Sequence, residues 1–211
     1  MREKEQSTRI IYVRHGKPDF PHDRLYCDDR EDPVLTAEGL QQAQAAARQL
    51  ASIEPDVDRI YVSPMQRARL TAEPIIQAYG VPHTVDVDLK ERPFGAWDGL
   101  YFDAIERDFP DQYRAWKQDP VMFVPQGGET IHAHRDRING VIHRIIERHP
   151  GETIVVVAHV GPIRMCVTEA LQMPLESYRR LTVDYASLTR VDYGRRQHNL
   201  VYMNLYDRIR P

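Results

Sequence analysis

Cysteine is almost missing from this 211-residue chain, which holds only Cys27 and Cys166. Two cysteines cannot build a disulfide framework, and their spacing matches no metal-ligand pattern, so both read as thiols. Long apolar runs are missing as well. No stretch approaches the roughly 18 residues of a membrane helix, and the first nine residues are polar and charged, without the apolar segment a secretory signal needs. Charge of either sign is not in excess: 28 Lys and Arg against 31 Asp and Glu leave a formal net charge of -3. That balance gives no reason to expect nucleic acid or a membrane surface as partner. Repeats, low-complexity tracts and linker-like stretches are absent too. What remains is an ordinary globular composition, 42% hydrophobic and 28% charged, with the cytoplasm as expected compartment and enough length for a substantial core. The sequence does not specify an oligomeric state.

Apolar runs alternate with helical patterns along the chain. Ile10-Ile11-Tyr12-Val13 reads as a buried strand that delivers Arg14-His15-Gly16 at its C-terminal end. Residues 17–35 carry prolines and charges without periodicity and form a long loop. Thr36 then caps an amphipathic helix with Leu40, Ala43, Ala47 and Leu50 on one face. Arg59-Ile60-Tyr61-Val62 is a second strand. It leads into a helix that Ser63 is expected to cap, with Pro64 at the first helical position and Gln66 completing a capping box. Arg67 falls in the first turn of that helix, and Gly80 ends it. A strand-like stretch near Thr84-Val85-Asp86-Val87 precedes Glu91. Residues 101–118 read as exposed helices broken at Pro110. Another helix starts after Thr130 and stops at Pro150-Gly151. Thr153 to Ala158 is unbroken in its apolar character, as expected of a central strand covered on both faces. It ends at His159, followed by a helical pattern from Ile163 and by two last strands near residues 187–191 and 200–205. The expectation is one α/β domain spanning 1–211, with a largely parallel sheet wrapped on both faces and one helical insertion.

In open sheets of this kind ligands bind beyond the carboxyl ends of the strands. Arg14, His15, Arg67, Glu91 and His159 each lie just past a predicted strand, so all five should emerge along one edge. Two guanidiniums, two imidazoles and one carboxylate suit a phosphomonoester. The arginines offer bidentate donors to its oxygens, and the helices after Ser63 and His159 add backbone donors. A neutral imidazole can attack phosphorus, and nearby arginines favour the neutral form. Glu91 can supply the proton the leaving alcohol needs and later take one from water. His132 and His134 beside Glu129 do not suggest a metal site, because residues two apart on a helix point about 200° apart. No metal or cofactor is expected.

Several motifs together resemble the histidine phosphatase superfamily, also called phosphoglycerate mutase-like. They are Arg14-His15-Gly16, Leu35-Thr36-x-x-Gly39 with Gln42-Ala43, and Ser63-x-x-x-Arg67-Ala68-x-x-Thr71-Ala72. They continue with Glu91-x-x-x-Gly95-x-Trp97-x-Gly99, Gly127-Gly128-Glu129, and His159 followed by Ile163-Arg164. The resemblance implies a three-layer α/β/α sandwich with a mostly parallel central sheet and a small helical insertion at about 100–126. It implies that His15 is the phosphorylated nucleophile, that Arg14, Arg67 and His159 form the phosphate pocket, that His159 also stabilises transition-state charge, and that Glu91 is the proton donor of the phosphatase branch. The implied partner is a small phosphorylated metabolite, hydrolysed without metal through a phosphohistidine. A phosphoglycerate mutase-type phosphotransferase and a non-catalytic phosphate-binding or scaffold module are the alternatives. Departures from the family pattern fall at Lys17, Pro21 and Val160, the first two in the loop that should shape the substrate pocket.

Overall fold

In a strand, successive side chains point to opposite faces, so a run with no polar interruption needs cover on both sides. β1 (Thr8–Arg14) and β4 (Thr153–Ala158) both meet that condition. Ile10, Tyr12, Ile154 and Val156 pack into one core; Ile11, Val13, Val155 and Val157 pack into another on the opposite face. The computed structural model describes residues 7–25 and 31–206. Cys27 and the middle of the predicted 17–35 loop lie outside the described residues.

Four further strands complete the sheet: β2 (Arg59–Val62), β3 (His83–Val85), β5 (Leu188–Tyr193) and β6 (His198–Leu205). Their order is β3-β2-β4-β1-β5-β6. The first four run parallel, while β5 and β6 are antiparallel to their neighbours. One face carries α1 (Ala37–Ile53) and α2 (Gln66–Tyr79), which bury Leu50, Ala68 and Ile75 against it. The other carries α5 (Ile131–Arg148) and α6 (Val160–Ala170), through Ile138, Val141, Ile163 and Val167. The expected three layers are therefore present, with the antiparallel pair confined to one side of the sheet. Among the described residues no helix is long and apolar enough to cross a membrane.

The insertion holds α3 (Phe102–Asp108) and α4 (Pro110–Gln118), with Pro110 starting the second helix rather than interrupting one. Trp97 is buried and meets Trp116 edge-on at 6.0 Å and Phe123 at 5.1 Å between ring centroids. Gly95 adopts φ +58°, and a Cβ there would lie 2.3 Å from both Gln126 O and Gly128 N. The Gly95 and Gly127-Gly128 motifs are thus two halves of one backbone contact.

Three local expectations need correction. Leu40 is 45% exposed, because the face of α1 that meets the sheet is lined by small residues, Ala43, Ala46 and Ala47, with Leu50. Ser63 does not cap α2, which begins at Gln66. Its hydroxyl is 2.7 Å from His159 Nε2, and the Asp32 carboxylate instead accepts from the Gln66 amide at 2.8 and 3.0 Å. Helix α6 starts at Val160, directly after the histidine, rather than at Ile163.

The start of α1 is pressed against the turn after β1. A Cβ on Gly39 would lie 2.2 Å from Lys17 O, and one on Gly16 would lie 2.5 Å from Gly39 O. Two backbones so close leave no room for a methyl group. Gly39→Ala should therefore lower the free energy of urea unfolding by about 2 kcal/mol, as overpacking does. Gly140→Ala, within α5 where the nearest atom to a new Cβ is an Arg144 side-chain nitrogen at 3.8 Å, should raise it by about 0.5 to 1 kcal/mol through helix propensity.

Candidate active site

Parallel strands end on the same side, and here β1, β2 and β4 end in Arg14, Val62 and Ala158. The next residues, His15, Ser63 and His159, follow where backbone pairing stops. The His15 amide still donates to Ala158 O at 3.0 Å, and the Ser63 amide to Val157 O at 2.9 Å. Arg67 arrives from the first turn of α2 and is 1% exposed. Glu91 follows β3 through a short 3-10 turn, Val87–Leu89. Arg14, His15, Arg67 and Glu91 line one cleft of about 350 Å3. His159 is fully buried behind it, with its ring centroid 5.1 Å from that of His15. The structure thus brings together all five residues the sequence singles out.

The His15 ring is fixed in one tautomer. Its Nδ1 lies 2.8 Å from Gly16 O, and a carbonyl oxygen only accepts, so Nδ1 carries the proton and Nε2 keeps its lone pair. Burial, reinforced by the Arg14 and Arg67 cations, holds His15 well below the ordinary imidazole range. Burial also lowers His159 strongly, with Arg67, His15 and Arg14 adding to it. Both rings are therefore neutral near pH 7.

Backbone contacts secure this arrangement. The Gly16 amide donates to Thr71 Oγ1 at 2.9 Å, and that hydroxyl donates to Arg67 O at 2.7 Å, so the Arg67-x-x-x-Thr71 spacing ties α2 to the turn after His15. The Lys17 amide donates to Gln42 Oε1 at 2.8 Å. Arg14 donates to Val183 O at 2.7 Å and lies 3.9 Å over the Tyr185 ring, contacts that fix the plane of its guanidinium. Arg67 pairs with Asp32 at 3.4 Å.

Two helix starts that were expected to offer donors to an anion are occupied by the chain's own carboxylates. Asp32 takes the start of α2, and Glu91 Oε2 accepts from the Gly161 amide at 3.0 Å. Glu91 Oε1 accepts from the Arg92 amide at 2.8 Å. The Val160-Gly161 departure has a steric reason, since a Cβ at 161 would lie 2.1 Å from Glu91 Oε1. Lys17 turns away to pair with Glu38 at 2.5 Å, and neither it nor Pro21 lines the cleft; His22, Arg24 and Leu25 do.

Sequence reasoning missed several lining groups. Arg164 and Arg179 line the cleft with Tyr178 and Trp116. Tyr185 comes from the irregular segment before β5, which has no periodicity to announce it. His134 was detectable: it sits at a core position of α5, between Ile131 and Ile138, where a polar residue breaks the apolar pattern. Among the described residues no group of three or more His, Cys, Asp or Glu could hold a metal ion.

A bifunctional protein from Mycobacterium tuberculosis is 38% identical over 187 residues, 88% of this chain and 50% of its own, so the chain spans about half the length of that relative. A metal-independent phosphoserine phosphatase from Arabidopsis thaliana is 33% identical over 164 residues, 76% of this chain and 68% of its own. The crystal structure of a protein described as an alpha-ribazole-5'-P phosphatase from Escherichia coli superposes with a TM-score of 0.84 at 26% identity, covering 94% of this chain and 97% of that one. The profile of the histidine phosphatase superfamily (branch 1) matches residues 10–206. The match takes in the strand that leads to His15, the helices packed on the sheet and every residue of the cleft floor, and the chain belongs to the histidine phosphatase superfamily, branch 1.

Proposed function

We propose that this chain is a metal-independent phosphomonoesterase that works through a phosphohistidine on His15. The observation that carries the reading is the bare Nε2 lone pair of a neutral His15 between two arginines. Arg14 and Arg67 bind the phosphoryl oxygens and offset their charge, and His159 stabilises the transferring group from behind. His15 Nε2 attacks phosphorus, the P–O bond to the leaving alcohol breaks, and protonated Glu91 gives its proton to that oxygen. Water then attacks the P–N bond, Glu91 takes a proton from it, and inorganic phosphate leaves with His15 restored. The naming of a relative as a metal-independent phosphoserine phosphatase supports the same chemistry.

The cleft also favours a leaving group that is itself anionic. Among the described residues six arginines line it against one carboxylate, Glu91. Arg14 and Arg67 serve the phosphate, Arg24 pairs with Glu31 and Arg92 donates to Glu129 O, which leaves Arg164 and Arg179. Neither is in an ion pair among the described residues, and Arg164 is oriented by donating to Leu181 O at 2.8 Å. Burial lowers the Arg164 pKa, with Arg14 and Arg179 adding to it and Glu91 opposing. A second negative group on the substrate relieves that field. The substrate class is therefore a small phosphomonoester with a carboxylate or second anion, acted on without nucleic acid or membrane.

His15→Ala should reduce hydrolysis of 4-nitrophenyl phosphate by about a thousand-fold or more and abolish the acid-labile phosphoenzyme; equal activity in both proteins ends the proposal. Arg164→Ala should raise KM for phosphoserine about ten-fold more than KM for 4-nitrophenyl phosphate, as expected when a charged hydrogen-bond partner is lost. Equal effects on both would remove the second-anion reading. The neutral imidazoles also set a pH dependence of stability. The unfolded chain protonates them near pH 6.5 and the folded chain only at lower pH, so the unfolded state binds more protons between the two. Stability should be full above about pH 6.5 and fall below it, and the urea midpoint of His15→Ala should decline less steeply from pH 7 to pH 5 than that of the parent.

A further inference from the structure

The chemistry above gives no part to His134. The residue is 1% exposed, its Nε2 is buried with no hydrogen-bond partner among the described residues, and it lines the cleft from α5. Its other nitrogen is held from behind. Nδ1 lies 3.1 Å from Glu129 Oε2, and Arg137 grips the same carboxylate through Nη2 at 2.7 Å and Nε at 2.8 Å. Burial pushes the Glu129 carboxyl up, but hydrogen bonds from Arg137 and His134 outweigh it and hold the group at about 2. Glu129 is therefore a full negative charge. Nδ1 lies between that acceptor and a donor, Arg137 Nη2 at 2.9 Å. With the proton on Nδ1 and donated to Glu129, Nε2 presents a lone pair to the cleft.

Across from that lone pair stands Glu91. A Cβ on Gly161 would lie 2.1 Å from Glu91 Oε1 and 3.0 Å from His134 Nε2, so the missing side chain leaves one gap on which both atoms converge. Other groups face Glu91 as well. The amides of Arg92 and Gly161 donate to it, and the Arg164 cation lies nearby. Tyr178 is the remaining titratable neighbour. On the His134 side the charged or titratable neighbours are Glu129, Arg137 and, deeper, His159. A proton donor must enter the cycle protonated, and an acceptor beside it is what this environment otherwise lacks.

We infer that His134 is a positioning residue for Glu91: its Nε2, held as an acceptor by Glu129, takes a hydrogen bond from the carboxylic acid of Glu91 across the gap at Gly161. That bond keeps the proton on Glu91 until the more basic leaving oxygen claims it. The inference rests on Glu91 being the proton donor proposed above and adds the group that keeps it loaded.

The test is the pH profile of kcat for phenyl phosphate, a poor leaving group, and 4-nitrophenyl phosphate, a good one, in the full chain and its variants. His134→Leu should slow phenyl phosphate about ten-fold more than 4-nitrophenyl phosphate and move the alkaline limb for phenyl phosphate down by about one pH unit, a share of what a general acid contributes. His134→Gln, which keeps an acceptor at the end of its side chain, should restore most of the loss. Because His134 acts through Glu91, adding His134→Leu to Glu91→Gln should cost nothing more. Equal slowing of both substrates with the limb unmoved, or losses that multiply in the double variant, overturns the inference. Should His134→Leu not fold, His134→Asn, whose amide is too short to span the gap, carries the same expectations. If Glu91→Gln itself slows both substrates equally, the proton-donor assignment fails, an outcome separate from any behaviour of His134.

Discussion

The close approach of two backbones, Gly16 against Gly39 and Gly39 against Lys17, constrains most of what happens at the mouth of the sheet. It fixes where the Gly16 carbonyl points, and the carbonyl decides which nitrogen of His15 holds the proton. Thr71 and Gln42 hold the same turn from two helices by accepting its amide protons. The His15 tautomer is thus set by peptide geometry rather than by an acidic partner. A carboxylate in that place would raise the basicity of His15, and the buried arginines would have to overcome it. With a carbonyl there, burial and cations act in the same direction and the ring stays neutral.

The same economy of negative charge runs through the cleft. The helix starts nearest the site are occupied by Asp32 and Glu91, so these carboxylates satisfy backbone donors and leave the arginine heads turned toward the cavity. Arg14 is steadied by a carbonyl and an aromatic face, and Arg164 by a carbonyl, neither by an ion pair. Among the described residues Arg14 and Arg164 are oriented cations that no side-chain carboxylate neutralises, whereas Arg67 keeps Asp32 at 3.4 Å. Such an arrangement is costly on its own, and the phosphate we propose would offset it.

Much of this was legible from composition and order alone. The unbroken apolar runs of β1 and β4 announced strands covered on both faces, and Pro110 marked the break between α3 and α4. Residues that follow strand ends were gathered correctly because parallel topology carries them to one edge. Contacts made by irregular backbone stayed hidden. Nothing near Val183 or Tyr185 signals that this segment anchors Arg14, and capping rules assigned Ser63 to its own helix because local spacing cannot see His159 competing for the hydroxyl. Leu40 was misplaced for a simpler reason. Where the packed face is built from alanines, the largest apolar side chain need not lie on it. His134 followed the opposite logic, a polar side chain in a position that periodicity reserves for the core.

The position of β1 in the sheet also determines when the site can come into being. Its neighbours are β4 and β5, so Val13, two residues before His15, is paired with Val157 on one side and Leu188 on the other. These partners are separated from it by well over half the chain. A ribosome releases them late, and loop closure over such distances is slow. Until residues 153–193 have joined the sheet, β1 has no edge to pair with and its arginine and imidazole have no pocket around them. β1 is made before the strands that enclose it, so a partly synthesised chain carries the whole Arg14-His15-Gly16 motif before the cleft around it exists.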